Sequence, residues 1–253
     1  MTRSEFQPFV MERMMSKWEN VVDVNLSESG VHPMTLTELL ELGGRDLGSV
    51  GDVLINYPQA NGTVELREAI AALYPGVTPD NVLVTVGAAE ANFLALTTLL
   101  QPGDEAVIML PNYMQVWGIA RNHGFRVREC HLSEDQEWAP DLAGLEAAAT
   151  SKTKLIAVCN PNNPTGRIMT GPEMDAVVAV AERTGAWLLA DEVYRGSELV
   201  GRLRDEKSVL IIPGDHFGVD GHLRISYGLP HGYLRDGLER IHQMVLELEP
   251  ARA

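Results

Sequence analysis

Two short polar segments stand out because each directly follows a run of apolar residues. The first is residues 160–166, Asn-Pro-Asn-Asn-Pro-Thr-Gly. Its prolines and glycine make a rigid loop that cannot continue a strand, and its asparagines present amide groups at a fixed place. The second is residues 191–194, Asp-Glu-Val-Tyr. A carboxylate such as Asp191 is costly to bury there unless a cation or a hydrogen-bond donor meets it.

Two weaker signals follow other apolar runs. Gly87, Ala88 and Ala89 lead straight into a predicted helix, and the start of a helix favours an anion. Glycine in a strand-turn-helix is common in α/β proteins, so phosphate binding and an ordinary turn are equal alternatives. Tyr113 places an aromatic ring after the second run, where it either stacks on a planar ligand or caps the core.

The acidic segment after an apolar run also suits the metal-binding acid of a P-loop NTPase. That class needs a second motif, a glycine-rich loop that ends in Gly-Lys. The chain contains no Gly-Lys dipeptide, so this alternative is disfavoured.

Five apolar, β-branched runs, most of them separated by helical stretches, predict a mostly parallel sheet with helices on both faces. The predicted strands are residues 82–86, 106–110, 125–130, 155–159 and 187–190. The fold class is therefore α/β. In open sheets of this class ligands bind outside the carboxyl ends of the strands, which is where the polar segments begin.

Other elements flank this sheet. We expect an N-terminal helix, a helix near residues 64–73, two late strands at 209–212 and 222–227, and a closing helix over 233–248. Leu234, Leu238, Ile241 and Val245 should share one face of the closing helix.

The composition restricts the classes of partner. The 253 residues have 45% hydrophobic and 22% charged content, which is typical of a globular protein. A formal charge of -15 repels nucleic acid and anionic membrane surfaces, so neither is expected as a partner. Cys130 and Cys159 lie inside apolar runs, so we expect core positions for both and no metal site. The first 20 residues lack a signal peptide's apolar block, which favours a cytoplasmic location.

Together, the segments 160–166 and 191–194 resemble the signature of class I and II aminotransferases of fold type I, which use pyridoxal phosphate. The resemblance implies that Asn163 and Tyr194 contact the cofactor's phenolic oxygen and that Asp191 pairs with its pyridinium nitrogen. It also implies that Tyr113 stacks on the ring. Residues 87–89 resemble the turn at the phosphate.

Three further residues are similar to family positions. Tyr57 resembles the tyrosine that reaches the phosphate in the neighbouring subunit, which implies a homodimer. Arg224 resembles the arginine that holds the substrate α-carboxylate as a bidentate fork, although a surface arginine on an edge strand is the alternative. Gly30, after Ser29, lies where relatives place backbone against the substrate.

The catalytic lysine of the family has no counterpart. That lysine forms a Schiff base with the cofactor and moves the substrate proton, within a Ser-x-x-Lys or Ser-x-Ser-Lys motif. In the family this motif follows the Asp-x-x-Tyr element and one further strand, and none of the four lysines of the chain, Lys17, Lys152, Lys154 and Lys207, stands in it there. Ser151 to Lys154 has the spacing Ser-x-x-Lys, but it precedes the fourth strand, at the amino end of the sheet. Residues 1–199 therefore resemble the large domain of the family, and residues 200–253 resemble a remnant of its C-terminal small domain. The central segment of the family that carries the lysine has no counterpart between them. We expect a gap in the sheet beside the fifth strand.

The resemblance implies amino-group transfer from an amino acid to a 2-oxo acid, with this chain impaired by the missing lysine. Two alternatives stay open. One is a scaffold without catalysis, or a dimerisation partner of a complete relative. The other is a lyase or cyclase of the same fold, because the motifs do not separate these reactions from transamination.

Overall fold

The computed structural model describes residues 6–27, 29, 34–194, 212–213, 223–224 and 231–248. The chain divides into two compact units. The first is formed by Met1–Val31 together with Asn92–Ala253, and the second by His32–Ala91.

The first unit is built on a five-stranded sheet. Its strands are β1 (Glu105–Leu110), β2 (Arg126–Ser133), β3 (Ala139–Pro140), β4 (Thr153–Cys159) and β5 (Trp187–Asp191). The strand order is β3-β2-β1-β4-β5. The pairs β1–β2, β1–β4 and β4–β5 are parallel, and the short β3 is antiparallel to β2. Four predicted strands and the α/β class are therefore confirmed.

Helices cover both faces of this sheet, which explains why the central strands are apolar on both sides. The elements are α4 (Gly87–Leu99), α5 (Gln115–Asn122), α6 (Leu142–Ala148) and α7 (Gly171–Thr184). On one face, Leu145 and Val177 pack with alternate residues of β1 and β4 such as Ile156. On the other, Leu96 and Val116 pack with the residues between them.

Local sequence sets the ends of α7, the helix that precedes β5. Thr170 and Glu173 form a reciprocal capping box at its start, where Pro172 occupies the first turn. Gly185 ends the helix with φ of 67°, a left-handed conformation that favours glycine. These signals fix where β5 begins and, four residues later, where Asp191 falls.

The expected strand at residues 82–86 was wrong. This segment belongs to no sheet, and its backbone N–H groups make one local bond to a backbone oxygen, from Val82 to Pro79 O, 3.1 Å, and one such bond to a more distant residue, from Val84 to Asn61 O, 3.1 Å. Leu83 is 60% exposed and Val86 is 89% exposed. β-branched residues favour extended backbone, but a strand also needs a neighbour to complete its hydrogen bonds, and the described residues supply none there.

Within the described residues, the sheet ends at β5, which pairs with β4 alone. Trp187 at the start of β5 is 62% exposed. In the described part of the fold, β5 is therefore an edge strand, and the predicted gap beside it stays a prediction.

The second unit contains α2 (Leu36–Leu42) and α3 (Val64–Ala71), the helix predicted near residues 64–73. Arg67 is buried on α3, where its guanidinium donates to the carbonyl oxygens of Gly62, 3.3 Å, and Pro79, 2.8 Å. Its role in the described structure is to hold the turns on either side of α3.

The terminal helices belong to the first unit. They are α1 (Val10–Trp18) and α8 (His231–Leu248), and both were predicted. Gly237 of α8 lies against Leu26 so closely that an added Cβ would come within 2.6 Å of the leucine Cδ1. Leu238, the next residue, is 42% exposed. The described contact of α8 with Leu26 is therefore made on the side of the helix that carries Gly237.

A two-stranded antiparallel sheet joins β6 (Ile212–Pro213) to β7 (Leu223–Arg224). Ile212 and both residues of β7 fall within the two predicted late strands, 209–212 and 222–227, whose other residues lie outside the described structure. No described helix is both long enough and apolar enough to cross a membrane.

Both cysteines are buried, as predicted. Burial, together with the charge of Asp141, raises the pKa of Cys130 from 9.0 to about 12. The thiol of an unfolded chain therefore loses its proton at lower pH than the folded thiol does. Between pH 9 and 11, we expect Cys130 to make the free energy of unfolding fall with a slope of up to about 1.4 kcal/mol per pH unit.

Urea unfolding at pH 9, 10 and 11 checks this contribution. Cys130→Ala should show a shallower fall than the unmodified chain. Leu132→Val, a change in the same buried cluster without a thiol, should lower stability at every pH and keep the original slope. An unchanged slope in Cys130→Ala would contradict the assignment.

Candidate functional site

The carboxyl ends of β4 and β5 bring the two polar segments together. Cys159 and Asp191 are register partners in the parallel pair, and Asn160 N–H donates to the backbone oxygen of Asp191 at 3.0 Å. The loop 160–166 and the segment 191–194 therefore leave the sheet side by side, as the positions of the motifs predicted.

Asp191 is half-buried and has hydrogen-bond donors on both carboxylate oxygens. Its Oδ1 accepts from the backbone N–H of Val193 at 3.1 Å. Its Oδ2 accepts from Nδ2 of Asn92 at 3.1 Å. Asn92 lies on α4, is 4% exposed, and was not predicted from the sequence.

The three asparagines of the loop have different roles. Asn160 Oδ1 accepts a hydrogen bond from the backbone N–H of Met169 at 2.9 Å. Asn162 Nδ2 donates to the carbonyl oxygen of Pro111 at 3.2 Å, and its Oδ1 accepts from the Thr165 hydroxyl at 2.8 Å. These two amides shape the loop. Asn163 points away from it, and its Nδ2 donates to the hydroxyl oxygen of Tyr194 at 3.1 Å.

Tyr194 links this loop to the N-terminal part of the chain. Its hydroxyl, which accepts from Asn163, donates to Oγ of Ser29 at 2.9 Å. The contact brings residues from three distant segments to one point. Gly30, predicted from its place beside Ser29, lies outside the described residues.

Tyr113 follows β1 and is held by α1. Its ring packs edge-on against Phe9 with centroids 4.8 Å apart, and its hydroxyl donates to Oε1 of Glu12 at 2.6 Å. Burial, the hydrogen bond to Glu12 and the charges of Glu12 and Asp191 raise the pKa of Tyr113 above its ordinary value. The phenol is therefore neutral at physiological pH.

Cys159 ends β4 beside the site. Burial and the negative charge of Asp191 raise the pKa of its thiol to about 12. Its Sγ lies 3.2 Å from the carbonyl oxygen of Pro161, which accepts the thiol hydrogen. A protonated, buried thiol is a poor nucleophile, so Cys159 has a structural role, as predicted.

Gly87, Ala88, Ala89, Tyr57 and Arg224 are the other predicted site residues that the structure describes. Gly87 begins α4 with φ of 80°, and Ala88 and Ala89 form the first turn of the helix. Tyr57, in the second unit, is 98% exposed. Arg224 is placed by its backbone alone, opposite Ile212 in the β6–β7 pair.

The described lysines do not approach the loop ends. Lys152 and Lys154 are exposed at the amino end of β4, opposite to the end that leads to Asn160. Lys17 is exposed on α1, where its ammonium lies over the ring of Trp18 at 4.8 Å. Lys207 lies outside the described residues. In the described residues, no cluster of histidine, cysteine and carboxylate side chains could hold a metal ion.

Sequence reasoning missed Asn92, the side chain of Ser29, and Glu12. Asn92 did carry a signal, because it is an amide four residues before Leu96, on the face of a mostly apolar helix that the spacing predicts to be buried. Ser29 and Glu12 carried none, since their partners are 165 and 101 residues away in the chain.

The chemical groups gathered here suit a planar heteroaromatic ligand. A carboxylate with fixed orientation can accept from a protonated ring nitrogen, an amide and a phenol can contact a ring oxygen, and a tyrosine ring stands near them. An α/β sheet with these groups at the carboxyl ends of its strands agrees with the resemblance to fold-type I pyridoxal-phosphate-dependent enzymes.

The family model for aminotransferase class I and II matches residues 46–199, and the chain belongs to this family. A putative aminotransferase, YugH, of Bacillus subtilis is 30% identical over 218 residues, which are 78% of this chain and 55% of that protein. An aspartate/prephenate aminotransferase of Thermus thermophilus is 32% identical over 54% of this chain and 37% of its own length. The chain thus spans about half the length, or less, of these relatives.

Two solved structures add to the comparison. A pyridoxal-phosphate-dependent aminotransferase of Streptococcus suis has a TM-score of 0.84 over 96% of this chain and 99% of its own, at 20% identity. That likeness shows the fold. The cyclase OrfR, also pyridoxal-phosphate-dependent, has a TM-score of 0.66 at 29% identity, over 75% of this chain and 50% of its own.

The contact between Glu12 and Tyr113 gives a test of how α1 is attached. Glu12→Ala and Tyr113→Phe should each lower the free energy of unfolding by about 1–2 kcal/mol, because a part-buried hydrogen bond is lost. The double variant should lose less than the sum of the two, with a coupling of about 1 kcal/mol in denaturant unfolding. Arg13→Ala, an exposed change on the same helix, should stay within about 0.5 kcal/mol. Additive losses would contradict the contact.

Proposed function

We propose that this chain binds pyridoxal phosphate without a covalent bond. We propose further that its reaction is the transfer of an amino group from an amino acid to a 2-oxo acid, at an impaired rate. The observation that carries the proposal is that the β4–β5 pairing places Asp191 beside the start of the loop 160–166, and that Asn163 of this loop is hydrogen-bonded to Tyr194, three residues after Asp191. These groups match in type the atoms that the cofactor presents.

Each residue of the proposed site has its own task. Asp191 accepts a hydrogen bond from the protonated ring nitrogen and balances its charge. Asn163 and Tyr194 hold the phenolic oxygen, and Tyr113 stacks on the ring. The resemblance adds the turn at Gly87, Ala88 and Ala89 for the phosphate, where the positive end of the α4 dipole favours an anion.

The cofactor supplies an electron sink for the carbanion that an amino acid becomes when it loses its α-proton. In this chain, Arg224 is the proposed group for the substrate α-carboxylate, with backbone at Gly30 beside the substrate. A positioned base contributes about 10²–10⁴-fold to proton transfer, and no lysine that follows residues 191–194 in the sequence stands in the family motif for it. The impaired rate follows from that loss.

Two observations favour second candidates. The lack of the motif lysine favours a scaffold without catalysis, or a dimerisation partner of a complete relative. The 29% identity to OrfR, a cyclase, favours a lyase or cyclase reaction on the same fold.

The proposed domain organisation is the same for every candidate function. Residues 1–199 carry the cofactor site, and residues 200–253 are a remnant of the small domain.

The direct test is titration of the purified chain with pyridoxal phosphate, followed by borohydride reduction and peptide mass mapping. We expect saturable binding and no single lysine that retains the cofactor after reduction. Asp191→Ala should weaken binding about 30-fold or more, because removing one partner of a paired charge costs on the order of 2 kcal/mol or more. Glu192→Ala, at the exposed neighbouring carboxylate, is the matched control and should bind as the unmodified chain does.

Either of two results would contradict the proposal. An absence of saturable binding would remove the cofactor site and leave the scaffold. Retention of the cofactor on one lysine after reduction would show that a substitute lysine enters the site, and the rate would then not be impaired for the reason given.

A homodimer is the proposed assembly. In the second unit, the extended segment 53–57 exposes Leu54 at 84%, Ile55 at 105% and Tyr57 at 98%. Apolar side chains in a row at such exposure are typical of a protein interface, and a second copy of this chain matches the role that the resemblance gives Tyr57.

Sedimentation velocity tests this assembly. We expect a dimer whose dissociation constant rises about tenfold or more in Ile55→Asp, because a charge replaces an apolar contact. Glu68→Lys, an exposed change on α3 of the same unit, should leave the dimer intact. A monomeric unmodified chain, or an Ile55→Asp variant that dimerises normally, would contradict this proposal without affecting the one for the cofactor.

A further inference from the structure

Asn92 is a polar side chain in an apolar place. It lies on α4 at 4% exposure, one and two turns before Leu96 and Leu100, which are 0% and 4% exposed. An amide is costly to bury unless its hydrogen bonds are satisfied. The position of Asn92 therefore depends on its partners.

Those partners are acceptors. Nδ2 of Asn92 lies 3.1 Å from Oδ2 of Asp191 and 3.4 Å from Oε1 of Gln115. An ionised carboxylate has no hydrogen to donate, so the asparagine must turn its NH₂ group towards Asp191. The direction of this hydrogen bond follows from the chemistry of the pair.

The second donor to Asp191 completes the arrangement. Val193 N–H reaches Oδ1 at 3.1 Å while Asn92 reaches Oδ2, so the carboxylate is held at both oxygens. Rotation about its Cβ–Cγ bond would break both hydrogen bonds. The carboxylate plane is thus fixed by the protein itself, and each oxygen keeps a lone pair for a further donor.

We infer that Asn92 is a positioning residue, which fixes the carboxylate of Asp191 so that it accepts the N–H of a protonated heteroaromatic ring. The inference rests on the proposed function and adds to it a residue from a different element of the fold. A carboxylate that is oriented before binding loses less entropy on pairing, so the effect of Asn92 is confined to ligands that have this ring N–H.

Because the effect of Asn92 is limited to ligands with a ring N–H, two ligands that differ only in this group test the inference. Equilibrium binding is measured with pyridoxal phosphate and with its 1-deaza analogue, in which C–H replaces the ring nitrogen. Asn92→Leu, close in size to asparagine, and Asn92→Ala should each weaken pyridoxal phosphate binding about tenfold. Their affinity for the analogue should change less than about threefold, since it makes no hydrogen bond to Asp191. Thr98→Ala, on the exposed side of α4, should leave both affinities unchanged.

The other outcomes overturn the inference in distinguishable ways. If both variants weaken the two ligands equally, Asn92 supports only the local fold. If the unmodified chain prefers pyridoxal phosphate and both variants keep that preference, the inference fails while the proposed function stands. If the unmodified chain binds neither ligand, or binds both equally, the proposed function fails and the inference with it. Thermal unfolding of the ligand-free variants identifies any variant that does not fold, and the remaining one then decides.

Discussion

The parallel pairing of β4 with β5 is the constraint on which the site depends. Its register places Cys159 opposite Asp191, and the backbone hydrogen bond from Asn160 to Asp191 extends the pairing past the last residue of β4. Because side chains alternate along a strand, a slip by one residue would turn Asp191 to the opposite face of the sheet.

Polar groups around this pairing are held in place before any ligand binds. Asn160 and Asn162 hold the loop, which leaves Asn163 to meet Tyr194, while Asn92 and Val193 hold the carboxylate of Asp191. Ordering these side chains within the fold lowers the entropy cost that a ligand would otherwise meet. The Cys159 thiol and the Tyr113 phenol beside this pairing stay protonated, because burial raises the pKa of both groups. The site therefore offers oriented donors and one carboxylate, without a nucleophile among the described groups.

Sequence patterns predicted the elements whose formation depends on local composition. The runs that became β1, β4 and β5 were found because they are apolar on both faces, and the loop 160–166 was found because prolines and glycine interrupt the pattern. The same reasoning was wrong for residues 82–86, since a strand also needs a partner that composition cannot reveal. Ser29 and Glu12 were missed for a related reason: their contacts with Tyr194 and Tyr113 depend on tertiary structure across more than 100 residues. Asn92 could have been found from its place on the apolar face of α4.

A cofactor site at the ends of β4 and β5 that does not need the family lysine can be tested with crystals of the chain soaked in pyridoxal phosphate. We expect difference density for one cofactor that is not bonded to any lysine. Its ring nitrogen should lie within hydrogen-bond distance of Asp191, and its phenolic oxygen should lie beside Asn163 and Tyr194. Density attached to a surface lysine such as Lys152, or none at Asp191 at saturating cofactor, would contradict the proposed site.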